Sequence, residues 1–529
     1  MIERLDAVFG RITMYRLIAI SLTALAVISG ILAATGAYVP IGAGLYEPAL
    51  RPVAMLASLA VAVIWASISN IAFAALRRAK PHAESSVITG LLLFFILPPT
   101  LDVVGLLGIA LAAVLASASK WLIAPHGRHL FNPAAFGAFV VGVLGITTGT
   151  GSPVSSAWWA ASPWLLPFVV VIGLAVAIRT RRGWIMLTFA VIAAISVTVR
   201  FLATAVPFAD ALSLALVSSP VVFFAVYMIT EPLTLPPRRW QQLLVAAIVG
   251  VLFAVPFSLP TATIGPFALG LFATPELWLL IGNLVAFVLA RRRGIRLELS
   301  DRRQLTPTSW EFQFTPTRHI PFAPGQFLEL DVPHAKADSR GTRRTFSIAS
   351  PPHPESGIRL GLRVPESKPS SYKRALLALP VGAKLTATSV GGDFTLPTDD
   401  GRPLLLVAGG IGITPFIAQL EQLRLAAAER DVVLVYAVSS LDEIAYAAEL
   451  GRSGARVLLV SPQPLPRMPK GWDWLGDGRL DGARLLEAVP DAASRETLLS
   501  GPPALIAALK PALRRAGARR IRTDAFLGY

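Results

Sequence analysis

Ten apolar runs fill the first 290 residues and then stop. About 20 apolar residues, wound as a helix, cross the hydrocarbon core of a bilayer. On that rule the runs lie near 17–36, 52–74, 86–99, 101–122, 133–148, 163–178, 184–203, 211–229, 240–258 and 267–290. Residues 1–290 carry 15 Lys/Arg and 8 Asp/Glu, against 33 and 24 in residues 291–529. The first part is too poor in charge to present a soluble surface, and the second has the composition of ordinary soluble protein. The break falls at Arg291–Arg292–Arg293. The expectation is a polytopic helical membrane domain over 1–293. The third and fifth runs are short, as tilted, re-entrant or broken helices are where they line a protein-buried site. The first run, from Leu17 to about Ala34, is longer than a signal-peptide core and lacks a clear cleavage site, so it reads as an anchor.

Charge placement orients the runs. Alternate loops carry Arg77, Arg78 and Lys80; Arg128; Arg179, Arg181 and Arg182; Arg238 and Arg239; then Arg291 to Arg293. The intervening loops, such as TGTGSPVSSAWWAASP, are nearly uncharged. With an even number of spans, positive loops inside place both termini and the C-terminal half in the cytoplasm of a cell inner or plasma membrane. The net charge of +16 is thereby explained without nucleic acid, for which no aromatic-basic platform is present. The chain has no cysteine, which excludes disulfides, cysteine-ligated iron–sulfur clusters and covalently attached c-type haem. No metal site is expected. The intramembrane carboxylates Asp102, Asp210, Glu231 and Glu276 all fall near predicted span ends, which argues against ion pumping without excluding it.

Two stretches of the apolar half carry more than hydrophobicity. In HLFNPAAFG (129–137), Asn132 followed by Pro133 is a helix start, an N-cap and then proline at the first helical position. In MITEPLTLPPRR (228–239) a Glu–Pro break interrupts the apolar pattern. With VITGLLLFFILPP (87–99) and the order of spans, these stretches resemble the membrane flavoprotein family found in Rnf electron-transport complexes and in sodium-pumping NADH:quinone reductase. The resemblance covers most of 1–290, and FNPAA is its most specific piece. It implies ten helices in two inverted repeats, a flavin held within the membrane, and a place for Asn132 and Pro133 at that cofactor; inverted repeats commonly bind ligands near the midplane. The family attaches FMN to a threonine in D-x-x-S/T-G-A-T. The matching stretch, Asp210-Ala-Leu-Ser-Leu-Ala-Leu216, has leucine for both the glycine and the acceptor threonine. Leu216 has no hydroxyl to form a phosphoester, so a non-covalent FMN or riboflavin is expected. Thr261 and Thr263 lack the surrounding motif.

Beyond residue 296 the periodicity shortens. SWEFQFTP, GQFLELDV, RRTFSIAS and IRLGLRV are β-rich runs with Pro/Gly punctuation, expected to form an antiparallel barrel over 296–398. From 400 to 529 apolar strands alternate with helices, the pattern of a parallel α/β nucleotide fold. Six motifs fall in order: APGQF (323–327), RTFS (344–347), GGDF (391–394), GGIGITP (409–415), SGPP (500–503) and the terminal DAFLGY (524–529). The ordered set resembles the ferredoxin–NADP reductase superfamily over essentially all of 296–529.

That resemblance implies FAD and either NADH or NADPH, with residues in named roles. Arg344 pairs with the FAD pyrophosphate through a bidentate guanidinium, with Thr345 beside it. Phe346, where the family usually has tyrosine, lies against the flavin, and Ser347 donates toward its N5 region. Ser370 and Ser371 cap a helix at the phosphates or are an ordinary N-cap. Gly391 adjoins the cofactor. Gly409, Gly410 and Gly412 let the backbone approach a dinucleotide pyrophosphate at a helix N-terminus, and Thr414 adds a hydroxyl donor. Ser500, with Gly501 and Pro502, replaces the family's usual cysteine beside the nicotinamide. Phe526 or Tyr529 covers the other flavin face, with Phe526 favoured. No arginine follows Ser439-Ser440-Leu441-Asp442 to hold a 2′-phosphate, which leans to NADH, although Arg452 or Arg456 can reach in.

Together the halves describe an FAD-dependent NAD(P)H oxidoreductase that passes electrons through a membrane flavin. Its acceptor is a quinone or an extracytoplasmic flavin-binding protein. A haem-based transmembrane reductase requires histidine pairs within helices. His82, His126 and His129 instead lie in or beside predicted cytosolic loops. A transporter or channel regulated by the reductase module is the alternative of a different class.

Overall fold

Every fourth residue along one side of the second helix is small and buried: Ala54, Ser58, Ala62, Ala66, Asn70 and Ala74. Its other side exposes Leu56, Ile64, Ile68 and Ile71, each more than half open. The structure, a computed structural model, describes residues 14–525 apart from 78–80, 82, 126–127, 148–153, 181, 265–266, 291–293, 336, 339–340, 354–355, 368, 398 and 400. It divides at Arg292/Arg293 into two compact units.

The first unit is helical: α1 (Met14–Ala34), α2 (Arg51–Leu76), α3 (Ala83–Ile96), α4 (Val103–Leu122), α5 (Pro133–Leu144), α6 (Leu166–Thr180), α7 (Gly183–Ala203), α8 (Phe208–Ser213), α9 (Val221–Tyr227), α10 (Arg239–Leu252) and α11 (Pro275–Ala290). Among the described residues, five stretches are long and apolar enough to cross a membrane, and five shorter apolar helices accompany them. Each of the ten apolar runs of the sequence lies on one of these helices, with three corrections. The run 211–229 is broken by a π-helical turn at Leu214–Ser218 between α8 and α9. Helix α10 ends at Leu252, not 258. The run 267–290 is helical only from Pro275; Phe267–Leu269 (β2) instead pairs antiparallel with Ala262–Ile264 (β1). Pro256 and Pro260 flank the end of α10, and proline neither continues a helix nor donates to it.

Small residues set the packing. A β-carbon on Gly137 of α5 would run into the Ala112 carbonyl of α4; small residues let helix backbones approach this closely. Helix α2 packs along α4, where Ser117 Oγ donates to the Ala66 carbonyl at 3.2 Å. Polar cross-links reinforce the pair: Ser69 Oγ donates to Ser117 Oγ at 2.8 Å and Trp121 Nε1 to Asn70 Oδ1 at 2.9 Å. Glutamine and asparagine tie the late helices, Gln241 Nε2 to the Leu289 carbonyl at 3.0 Å and the Asn132 amide to Asn283 Oδ1 at 2.8 Å. A contiguous aromatic cluster, including Phe95, Trp158, Trp159, Phe223, Phe224 and Tyr227, fills the centre.

The second unit holds two sheets. β3 (Ile295–Thr306), β4 (Ser309–Pro316), β5 (Phe327–Asp331), β6 (Arg343–Ser347), β7 (Ile358–Arg363) and β8 (Lys384–Gly391) form an antiparallel sheet in the order β6-β5-β8-β3-β4-β7. A bridge between Ile348 and Leu360 joins its two edges, closing it as a barrel, and α12 (Ser371–Leu377) supplies Tyr372 and Leu376 to its core. β9 (Leu404–Gly409), β10 (Val432–Ala437), β11 (Arg456–Val460), β12 (Trp472–Gly476), β13 (Glu496–Gly501) and β14 (Ile521–Ala525) form a parallel sheet in the order β12-β11-β10-β9-β13-β14. Helices α13 (Thr414–Leu425), α14 (Ala447–Gly451), α15 (Gly482–Ala488) and α16 (Pro503–Arg515) connect its strands. After β9 the chain steps outward through β12, then returns to place β13 on the other side of β9. That reversal leaves a crevice at the carboxyl ends of β9 and β13, where open α/β sheets bind ligands.

Candidate functional site

Strand pairing brings the barrel motifs together. Phe327 pairs with Ser347 on one side and Gly391 on the other, so APGQF, RTFS and GGDF lie edge to edge. Gln326 stitches them. Its Oε1 accepts from the Ala323 amide at 2.9 Å, its Nε2 donates to the Gly392 carbonyl at 3.1 Å, and its carbonyl accepts from the Ile348 amide at 2.9 Å.

Arg344 is buried at 8% exposure. Its guanidinium lies 5.1 Å from the Tyr372 ring centroid. Nη1 donates to the carbonyls of Gly341 at 3.1 Å and Arg343 at 2.6 Å, and Nη2 sits 3.2 Å from Asp338 Oδ1. Phe346 is 5.8 Å from Tyr372. Residues two apart on a strand share a face, so Arg344 and Phe346 meet Tyr372 together. Thr345 is exposed on the other face and does not join them. Tyr372 was missed in the sequence; its only signal was an aromatic directly after Ser370-Ser371. Ser370 is an ordinary N-cap, accepting from the Lys373 amide at 3.4 Å. Ser371 Oγ accepts from the Asp338 amide at 2.9 Å, tying the Arg344 partner loop to α12.

At the crevice the two glycine motifs touch backbone to backbone. A β-carbon on Gly412 would lie 2.7 Å from the Ser500 carbonyl and 2.8 Å from Gly501 Cα, and one on Gly409 would lie 3.0 Å from Pro502. Gly410 has φ +53° and open space around it. Thr414 is a correction: its hydroxyl donates to the Ile411 carbonyl at 3.1 Å, fastening the turn rather than offering its proton outward. Ser500 is fully buried and its hydroxyl has no hydrogen-bond partner. Ser347 Oγ reaches across to Asp524 Oδ2 at 3.4 Å, joining the barrel site to β14. Phe526 and Tyr529 lie outside the described residues.

A charged clamp that sequence reading did not find holds barrel and parallel sheet together. Arg303 pairs with Glu311 at 3.0 Å and Glu449 at 3.2 Å, and Arg359 pairs with Glu421. Thr308 Oγ1 donates to Glu443 at 2.7 Å. Burial pushes the Glu421 carboxyl up, with Arg359 opposing, and burial pushes the Tyr446 phenol well above its ordinary value. Arg456 is paired with Asp473 at 3.0 Å, so it is engaged on β12 rather than beside Asp442.

The first unit has its own polar centre. Lys120, 7% exposed, donates to the Ser85 carbonyl at 2.9 Å, Ser85 Oγ at 3.1 Å and Thr89 Oγ1 at 2.7 Å. Asn132 caps α5, accepting from the Ala135 amide at 3.1 Å, with Pro133 behind it. The Glu–Pro break is clasped by arginines: Arg128 donates to the Pro232 carbonyl at 2.8 Å and Arg182 to the Thr230 carbonyl at 2.5 Å. Ser85, Thr89, Lys120, Asn132, Thr230 and Glu231 line a cavity of about 30 Å³. Asn132 Nδ2, in that lining, is buried without a hydrogen-bond partner. Leu216 lies on the π-helical turn, away from that lining.

Residues 406–510 match the oxidoreductase NAD-binding domain. The chain is 28% identical over 218 residues to the reductase subunit of an aromatic O-demethylase from Amycolatopsis sp., covering 39% of this chain and 61% of that protein. It is 28% identical over 212 residues to a flavohemoprotein from Oceanobacillus iheyensis (37% and 50%). It is 27% identical over 213 residues to an NADPH oxidoreductase from Mycobacterium tuberculosis (40% and 52%). It thus spans about half to three-fifths of the length of these relatives. Among solved structures, the Amycolatopsis cytochrome P450 reductase aligns with TM-score 0.38 and 23% identity, covering 44% of this chain and 70% of that one. The second unit thus carries an oxidoreductase NAD-binding domain behind an antiparallel barrel, and its similarity to these reductases supports an oxidoreductase.

Proposed function

We propose that the chain carries electrons from NAD(P)H through FAD and a non-covalently held membrane flavin to an acceptor at the membrane or beyond it, a quinone or an extracytoplasmic flavoprotein. The helical unit spans a bilayer in this reading, with both termini and the reductase module in the cytoplasm. NAD(P)H delivers a hydride, and a flavin accepts that pair and passes electrons on singly. Arg344 and Tyr372 hold the pyrophosphate end of FAD, Phe346 lies against its ring, and Ser347 donates toward its N5 edge. Gly409, Gly410 and Gly412 seat the nicotinamide dinucleotide, and the Ser500 hydroxyl lies beside its ring.

The observation that carries the membrane step is the cavity at the start of α5. Asn132 Nδ2 has no partner there, and Lys120, Tyr227 and Glu231 share the same lining. An amide donor beside a buried cation suits the carbonyl edge of an isoalloxazine, which Lys120 meets by exchanging one of its bonds to Ser85 or Thr89. Full-length protein in detergent is expected to release two flavins per chain on acid precipitation, with none left attached. Asn132→Leu with Lys120→Met should release one. A single flavin in the parent, lost on replacing Arg344, would overturn the membrane step and move the regulated-transporter reading forward.

A further inference from the structure

The positive charge of the second unit is gathered in one place. Residues 503–522 hold Lys510, Arg514, Arg515, Arg519, Arg520 and Arg522 and no Asp or Glu. The other 27 Lys/Arg of residues 291–529 are nearly matched by 24 Asp/Glu. The basic loops of the first unit leave this second excess unexplained.

The excess sits on a fixed corner. Helix α16 buries Ile506, Leu509 and Leu513, and a β-carbon on Gly482 of α15 would run into the Ala512 side chain. The helix ends in a left-handed turn at Gly517, φ +99°. There the Gly517 amide donates to the Arg514 carbonyl at 3.1 Å and the Ala518 amide to the Leu513 carbonyl at 2.9 Å, a common helix ending. The turn keeps Arg519 at the same end of the helix as Arg514 and Arg515. All three are exposed. Arg520 and Arg522 are drawn to Glu496 at 3.9 and 3.2 Å. Asp481 caps α15, accepting from the Arg484 amide at 3.0 Å, and Asp491 pairs with Arg495 at 2.8 Å. Glu487 is the one exposed carboxylate on α15.

Position selects the partner. Helix α16 starts beside SGPP at the carboxyl end of β13, and its 13 residues carry the chain back about 20 Å. Ile521 then pairs with Thr497 at the amino ends of β14 and β13. The arginines are therefore at the sheet edge opposite the crevice. A soluble electron carrier has to approach the flavin site, where Ser347 meets Asp524 near the carboxyl end of β14, and gains nothing from charge here. A bilayer does. This step rests on the membrane reading above: only residues 291–294 link α11 to β3, a tether of about 14 Å fully extended, which keeps the second unit close to the lipid headgroups. The cytoplasmic leaflet is anionic and attracts polybasic segments.

We propose that Arg514, Arg515 and Arg519 form a docking surface for the anionic headgroups of the bilayer. Docking at this edge leaves the crevice open to NAD(P)H. Three arginines near such a surface favour the docked state about a hundredfold, and high salt screens them.

The chain has no cysteine, so one introduced thiol reports on this edge. Full-length Ala516→Cys carrying a bimane is placed in phosphatidylcholine nanodiscs with or without phosphatidylglycerol, and a lipid with a nitroxide on its headgroup quenches label held at the surface. Quenching should be several-fold stronger in the anionic discs and fall in high salt. Adding Arg514→Gln, Arg515→Gln and Arg519→Gln together should abolish the difference while NAD(P)H–ferricyanide turnover is retained, which shows that the module is folded. A bimane on Ser439→Cys, exposed beyond the carboxyl end of β10, should stay unquenched. Protein that enters neither disc would overturn the membrane reading and this proposal with it. Incorporation with equal quenching in both discs, or a difference that the triple variant keeps, would overturn this proposal alone. Equal quenching in both discs with a bimane shifted by polyglutamate would assign the patch to an acidic protein instead.

Discussion

Arg344 concentrates several constraints on one side chain. It is stacked on Tyr372, bound to two carbonyls of its own loop and paired with Asp338, so its guanidinium is held in place with little freedom left to lose. A hydrogen bond to a charged group contributes about 1.5–3 kcal/mol. Arg344→Ala should therefore weaken FAD binding about tenfold to a hundredfold, measured as flavin released by dilution. Arg344→Lys should recover only part of it, since an ammonium lacks the planar fork. An unchanged FAD content in Arg344→Ala would remove the residue from the site. At this scale RTFS was legible as a strand, whose alternation puts Arg344 and Phe346 on one face and Thr345 on the other. Tyr372 was unreadable because its position depends on where α12 docks against β5, some forty residues earlier in the chain.

Among the elements, the parallel sheet was the most legible. Its inner strands β9, β10, β11 and β13 announce themselves as apolar runs buried on both faces, and the order β12-β11-β10-β9-β13-β14 puts GGIGITP and SGPP side by side at its reversal. The fit there is backbone on backbone. Gly412→Val drives a branched side chain into the Ser500 carbonyl and Gly501. Overpacking of this kind costs about 1–3 kcal/mol, and it should raise the KM for NAD(P)H and lower the thermal midpoint together. A raised KM with an unchanged midpoint would mean that the turn is open rather than packed. At the other end of the same strands, Arg495 binds Asp431 at 2.7 Å, Asp491 at 2.8 Å and the Leu404 carbonyl at 3.2 Å. The Arg495 hydrogen bond holds the Asp491 carboxyl below the usual carboxylate range. Its folded value is thus below the unfolded one, and its stabilisation is present above the unfolded value and lost as pH falls through the folded value. Both carboxylates are half-exposed, so the contribution is at most about 1 kcal/mol. Arg495→Met should flatten the acid limb of a midpoint-against-pH profile. In the helical unit the existence of the apolar helices was legible and their ends were not. Prolines after α10, a π-helical turn after α8 and the β1–β2 hairpin interrupt runs whose hydrophobicity continues across the break, and hydropathy has no term for backbone pairing.

Over the whole chain, the first unit differs from the second in what it exposes. Around a core of leucine, isoleucine and aromatics, helices such as α2 bury a stripe of alanine and serine and turn isoleucine, leucine and valine outward. A soluble domain reverses that arrangement, because apolar area left in water costs about 25 cal/mol per Å². In lipid the penalty vanishes and close packing of small residues takes over. Orientation follows from a different signal, the arginines of alternate loops, and the lack of cysteine makes it directly measurable. Thr261 and Arg239 are both exposed and lie at successive breaks between apolar helices, so positive loops inside place them on opposite faces. With one cysteine introduced at a time, a membrane-impermeant thiol reagent should label Thr261→Cys in intact cells and Arg239→Cys only after permeabilisation. Labelling of both in intact cells, or the reverse pattern, would put the reductase module on the face without NAD(P)H. It would then exclude electron entry from the cytoplasm whatever the cofactor content.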